Sequence, residues 1–206
     1  RGEPLYRSLR EEARASASVH ADETGGRIAA RNSWLWVFAT KRLTLYHIDR
    51  SRGHAVAQGM LGEPFDGILV SDGLPTYDVL SVRRQLCLAH LLKRCGEIEK
   101  NKTRGSVRFP RQVARLLRAA MQLAQRRDQM SPHGFAIARG RIEAAVDRLL
   151  RYRLVDGDNE RLGAHLYKQR DHLFTFLYEE NVEPTNNLAE RQLRPAVIAR
   201  KLSAGN

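Results

Sequence analysis

Gly67-Ile68-Leu69-Val70-Ser71-Asp72-Gly73 is a short unbroken apolar run closed by a polar turn. Such a run fits a strand buried on both faces, the kind found in parallel or mixed sheets. Three more strand candidates lie upstream. Val19-His20-Ala21-Asp22 follows a basic amphipathic segment over residues 5–17. Ser33-Trp34-Leu35-Trp36-Val37-Phe38-Ala39 is rich in aromatic and β-branched residues, and Leu43-Thr44-Leu45-Tyr46-His47-Ile48-Asp49 follows at hairpin distance. Arg52-Gly53 interrupts the pattern, and residues 54–61 fit a short helix. Downstream, residues 84–88 read as a fifth strand leading into a helix over about residues 89–100.

Beyond Lys102 the pattern is helical. Val113, Leu116, Leu117, Ala120, Met121 and Ala124 recur at helical spacing, as do Ile137, Ile142, Ala145, Val146, Leu149 and Leu150. Ser131-Pro132-His133-Gly134 separates the two stretches. A third helix is expected over residues 159–178, and a last one begins near Asn186, after Glu183-Pro184-Thr185. Three consecutive strands can form an antiparallel meander, whereas the later strand–helix–strand unit needs a crossover and parallel pairing. The expectation is an α/β fold: a mixed five-stranded sheet with flanking helices, in ribonuclease H-like order. An all-helical insertion interrupts it before the last helix. The divisions are residues 1–102, 103–180 and 181–206.

The chain has 206 residues, 42% of them hydrophobic, enough for a core. No apolar run approaches a membrane span. Two cysteines cannot make a disulfide framework and no secretory signal opens the chain, so it reads as cytoplasmic. The formal charge is +12, which points to a polyanion, nucleic acid first, over a basic surface kept for solubility. That charge is uneven. Residues 104–153 hold 12 Arg against Asp128, Glu143 and Asp147, a net +9, leaving only +3 for the remaining 156 residues. Arg111, Arg115 and Arg118 in this stretch are candidates for phosphate contacts, with a steep salt dependence.

Three acids stand where a site would need them. Asp22 and Asp72 each follow an apolar strand and precede a Gly-containing turn, and Glu190 lies in the last helix. Neighbouring strands would bring the two aspartates side by side at the strand ends, and the helix could bring Glu190 to them. Acids this close raise one another's pKa, and a divalent cation removes the conflict. Mg²⁺ needs only a few carboxylate oxygens, and two ions can serve phosphoryl transfer. Taken singly, each acid has a plainer reading as a turn residue or a surface ion pair. No P-loop is visible, and metal activation would take the place of a Ser–His or Cys–His nucleophile–base pair.

These segments, with Cys87-Leu88-Ala89-His90-Leu91-Leu92 and above all Glu183-Pro184-Thr185-Asn186-Asn187-Leu188-Ala189-Glu190-Arg191 followed by Leu193-Arg194-Pro195, resemble the DDE transposases of the insertion sequence 66 family. The resemblance runs from about Leu5 to Asn206. It implies a ribonuclease H-like core that cuts DNA at transposon ends and joins the freed 3′-OH to target DNA. Asp22, Asp72 and Glu190 would be its metal-binding catalytic triad, holding Mg²⁺, with Mn²⁺ as substitute, as two ions. It further implies a homo-oligomer assembled on DNA and a bacterial, nucleoid-associated location. Full-length members also carry N-terminal DNA- and zinc-binding regions and a C-terminal tail, so the chain looks like a catalytic-domain fragment. Gly26 departs from the pattern, standing where a bulky aromatic commonly follows Thr-Gly, which suggests a looser first turn. Two other readings stay open: a ribonuclease H-like nuclease or resolvase that only hydrolyses, and an inactive DNA-binding remnant.

Several residues support the site on this reading. Cys87 and His90 have C-x-x-H spacing, but only Cys95 remains as a further cysteine, which argues against zinc. In related DDE families a similar pair is linked to organising the active site or contacting DNA; the plainer reading is a buried Cys and a helix-capping His. Asn186, Glu190 and Arg194 share one helical face, with Asn187 and Arg191 on the adjacent stripe. They could frame the site or contact phosphate, as could Arg200 and Lys201 further along; capping and charge pairing would explain the same spacing. Trp34, Trp36 and Phe38 alternate to one strand face and read as core rather than base-stacking platforms. His20, two residues from Asp22, reads as a core histidine.

Overall fold

The computed structural model describes residues 2–28 and 31–202. The chain divides into two compact units, Arg1–Leu86 with Asn181–Asn206, and Cys87–Glu180.

The first unit is built on five strands: β1 (Ser18–Ile28), β2 (Arg31–Ala39), β3 (Thr44–Asp49), β4 (Ile68–Ser71) and β5 (Arg83–Leu86). Their order across the sheet is β3-β2-β1-β4-β5. β1, β2 and β3 form an antiparallel meander, while β4 and β5 run parallel to β1. This is the mixed, ribonuclease H-like sheet expected. All four residues of β4 are buried, as its unbroken apolar run requires.

Period-two alternation gives the sheet two unlike faces. Val19, Ala21, Trp36, Phe38 and Leu69 form a core with α1 (Glu3–Arg14), α2 (His54–Leu61) and Tyr77 of the short α3 (Pro75–Asp78). Trp36 and Phe38 stack in that core, so the aromatic stripe serves packing. Arg14 ties α1 to the end of α2 through the carbonyls of Met60 (3.1 Å) and Gly59 (2.7 Å). Gly62, at φ 82°, ends α2 by returning its N–H to Gln58 O at 2.8 Å. On the other face, Val37 packs against Ala189 and Leu193 of α8 (Asn187–Leu202).

The second unit is helical: α4 (Leu88–Asn101), α5 (Arg108–Gln125), α6 (Pro132–Leu150) and α7 (Gly157–Lys168). α5 contacts the other three helices, burying Val113, Ala114, Leu117, Ala120 and Leu123. α4 clusters with these helices, where the sequence grouped it with the strands before it. Ser131-Pro132 opens α6 rather than merely separating two helices: the Ser131 hydroxyl accepts from Gly134 N at 3.1 Å, and Pro132 needs no partner at the first helical position. The helix expected over residues 159–178 is shorter. α7 stops at Lys168, and two single 3₁₀ turns, Arg170–His172 and Thr175–Leu177, follow.

Candidate functional site

The acidic site starts from strand register. β1 pairs with β4 through Ser18↔Ile68, Val19↔Leu69 and His20↔Val70. β4 ends at Ser71, but β1 continues to Ile28 as the partner of β2. Carried two residues past the last pair, the same register sets Asp22 opposite Asp72. Asp22 is therefore inside β1, paired across to Val37, and not at a strand end as the sequence suggested. The edge that exposes it belongs to β4. Gly25 and Gly26 likewise continue β1, paired with Trp34 and Ser33, so the expected first turn is absent there. A Cβ at Gly26 would meet only Arg200 Cδ, at 3.9 Å.

α8 lies along the Asp22 face of β1. Ala21 is one residue beyond the last β1 residue paired to β4, and its carbonyl accepts from Asn186 Nδ2 at 2.8 Å. Asn186 is fully buried, and its own carbonyl accepts from Glu190 N at 3.1 Å, closing the first turn of α8. Further along, Arg200 donates to Thr24 Oγ1 at 3.3 Å. Glu190 is half-buried on this helix.

Electrostatics registers the gathering of charge. Burial pushes the Asp22 carboxyl up to about 7, against the pull of the Glu23 N–H that donates to its Oδ1 at 2.9 Å. The negative charges of Glu23, Asp72 and Glu190 add to the rise. Asp22 thus senses the charge of both other acids. Among the described residues, the ligand atoms of Asp22, Asp72 and Glu190 do not all fall within 4.8 Å of one another. Asp72 makes an Asx-type turn, its Oδ1 accepting from Leu74 N at 3.1 Å.

Glu23 was missed in the sequence. It alternates to the opposite face from Asp22, and its side chain is 1% exposed. Its Oε1 accepts from Arg52 Nε at 3.0 Å and Nη2 at 2.9 Å, and its Oε2 from the Tyr77 hydroxyl at 2.9 Å. Arg52 in turn stacks over Trp34, 4.5 Å from the ring centroid. Burial raises the Glu23 carboxyl pKa, opposed by Tyr77 and Arg52, while burial and Glu23 hold the Tyr77 hydroxyl well above its ordinary range. The two adjacent acids of β1 therefore differ. Glu23 is committed to Arg52 and Tyr77; Asp22 faces α8. Period two foretells the opposite faces, but only the fold supplies Arg52 and Tyr77.

The remaining candidates are placed as follows. Asn187, Arg191 and Arg194 are exposed on α8. Lys201 is in α8, but its side chain lies outside the described residues. His20 is 3% exposed, with its pKa lowered by burial and raised in part by Glu183 and Asn186. In the helical unit, Cys87 is the buried residue before α4, and His90 is exposed in its first turn. Neither cysteine forms a disulfide, and burial pushes the Cys95 thiol up to about 12, as suits an inert core residue. Arg111, Arg115 and Arg118 form one exposed stripe of α5, with Arg111 paired to Glu99 at 3.0 Å. No helix among the described residues is long and apolar enough to cross a membrane.

The sheet has ribonuclease H-like order, an arrangement that does not by itself fix function. The chain matches the model of the transposase IS66 family over residues 2–205, and it belongs to that family. No curated protein matches the chain.

Proposed function

We propose that Asp22, Asp72 and Glu190 form the catalytic centre of a DNA transposase that cleaves a phosphodiester at a transposon end and transfers the freed 3′-OH to target DNA. The observation that carries the reading is the β1–β4 register, which sets Asp22 opposite Asp72 while α8 presents Glu190 on the same side of β1. The residues fit a divalent cation. The donor set is oxygen-only, as Mg²⁺ or Mn²⁺ prefers, and burial, with smaller contributions from the charges of Glu23, Asp72 and Glu190, raises the Asp22 pKa. A bound cation supplies activation of the attacking oxygen and stabilisation of the leaving one.

The chain's own residues do the rest. Asp22, Asp72 and Glu190 would hold the cation through their ionised carboxylates. Asn186 pins the start of α8 to β1, fixing Glu190 against Asp22. Glu23, satisfied by Arg52 and Tyr77, stays out of the donor set. Arg194, one turn beyond Glu190 and exposed, offers a guanidinium to phosphate, with Arg200 and Lys201 further along. Arg111, Arg115 and Arg118 grip the DNA backbone. Two transposon ends must be held together, so the working form is an oligomer on DNA, acting in the bacterial nucleoid.

The test uses labelled transposon-end duplex and a target plasmid in Mg²⁺. The native chain should give cut and joined products; Asp72→Asn should give neither while still shifting the duplex. Cutting without joining would identify a hydrolytic nuclease, and binding alone an inactive remnant. Full activity in Asp72→Asn would refute the assignment.

A further inference from the structure

The helical unit contains a cleft of about 820 Å³ that the acidic site does not involve. Its volume falls in the ~300–1,000 Å³ range of small-ligand sites. Three exposed arginines line it: Arg104, Arg108 and Arg153. None of the three has an ion-pair partner among the described residues, whereas the lining carboxylate, Asp156, is neutralised by Lys102 Nζ at 2.9 Å. Arg104 has φ 54°, a left-handed conformation that a non-glycine residue seldom adopts and that recurs at ligand sites.

The interior is of a different character. Phe109 and Leu149 are buried in the lining, and Tyr152 is 61% exposed with its ring available. Asn159 also lines the cleft and is 4% exposed. Its Nδ2 donates to Ser106 O at 2.8 Å, but its Oδ1 is buried without a hydrogen-bond partner. A buried acceptor left unpaired is costly and calls for a donor. The cleft thus combines free cations, an aromatic face and one acceptor in want of a donor.

We propose that this cleft binds a single unpaired nucleotide whose base carries an exocyclic amine. The arginines take the phosphate, Tyr152 stacks on the base, and Asn159 Oδ1 accepts from the amine. Adenine, cytosine and guanine present such an amine. Thymine offers only N3–H, flanked by two carbonyl oxygens that would oppose Oδ1. The nucleotide is either free or an unstacked residue of a DNA strand; the chemistry recognised is the same.

The experiment titrates the full chain in EDTA, so that its outcome is independent of the cation-dependent centre. The probes are dCMP, dTMP, 2-deoxyribose 5-phosphate, a short single strand containing one cytosine, and the same strand paired. Expected are about tenfold tighter binding of dCMP than dTMP and a loss of about tenfold or more in Tyr152→Ala. Asn159→Leu should remove the base preference; if that variant does not fold, the preference of the native chain carries the test. Binding of the single strand but not of dCMP would support the proposal with a strand nucleotide as ligand, and equal binding of both would support it with a free one. Equal affinity for dCMP, dTMP and the sugar phosphate, an unchanged Tyr152→Ala, or preference for the paired strand would overturn it.

Discussion

The raised pKa of Asp22 has a consequence for stability that needs no DNA. In the unfolded chain its carboxyl titrates near 3.8; in the cation-free fold it titrates near 7. A carboxyl whose folded pKa is raised binds its proton more tightly in the native state. Its ionisation therefore destabilises the fold, and stability falls as pH rises from about 4 through 7. At about 1.4 kcal/mol per pH unit the full cost is about 4 kcal/mol, of which about 3 kcal/mol is incurred between pH 5 and 8. Asp22→Asn keeps the size and removes the titration. Urea unfolding followed by circular dichroism, in EDTA at pH 5, 6, 7 and 8, reads the difference between variant and native chain. That difference should grow in favour of Asp22→Asn by about 2–3 kcal/mol across the series. Saturating Mg²⁺ should stabilise the native chain at pH 8 and leave the variant nearly unmoved. A difference that stays flat with pH would refute the burial of Asp22 among like charges.

Other outcomes follow from the same geometry. Tyr77→Phe removes the hydroxyl that donates to Glu23 Oε2 in a buried setting, so unfolding stability should fall by about 1–3 kcal/mol; no loss would mean that water replaces it. Neutralising Arg111, Arg115 and Arg118 together should flatten the slope of log K against log[salt] for duplex binding by about 2–3, while an unchanged slope would return them to solvated surface. Asp72→Asn should abolish strand cleavage without abolishing DNA binding, in a gel assay that separates the two.

Much of this fold is written locally. The buried run Ile68–Ser71 has no polar face to give to solvent, so it must be an inner strand, and the meander before it fixes the sheet order. The helix over residues 54–61 is legible to its last residue because Gly62 stops it. The extent of β1 is not legible in this way. Thr24-Gly25-Gly26 carries turn chemistry, yet the strand runs through it because β2 supplies a full antiparallel partner. Nor is the end of α7 legible: Leu173, Phe174, Phe176 and Leu177 are buried at apolar spacing, but they lie after the end of α7, around separate 3₁₀ turns. Asp22, Asp72 and Glu190 are candidates that spacing and resemblance supply without the fold. The Glu23–Arg52–Tyr77 group is not, since its members are joined only by long-range packing.

The proposed centre stands on Asp22, Asp72 and Glu190 holding a divalent cation. Anomalous diffraction from crystals of the chain soaked in Mn²⁺ tests it without any assay of activity. Expected are Mn²⁺ peaks within coordination distance, about 2 Å, of oxygens of Asp22 and of Asp72 or Glu190. Mn²⁺ bound elsewhere at saturation, with Asp22 and Asp72 untouched, would contradict it.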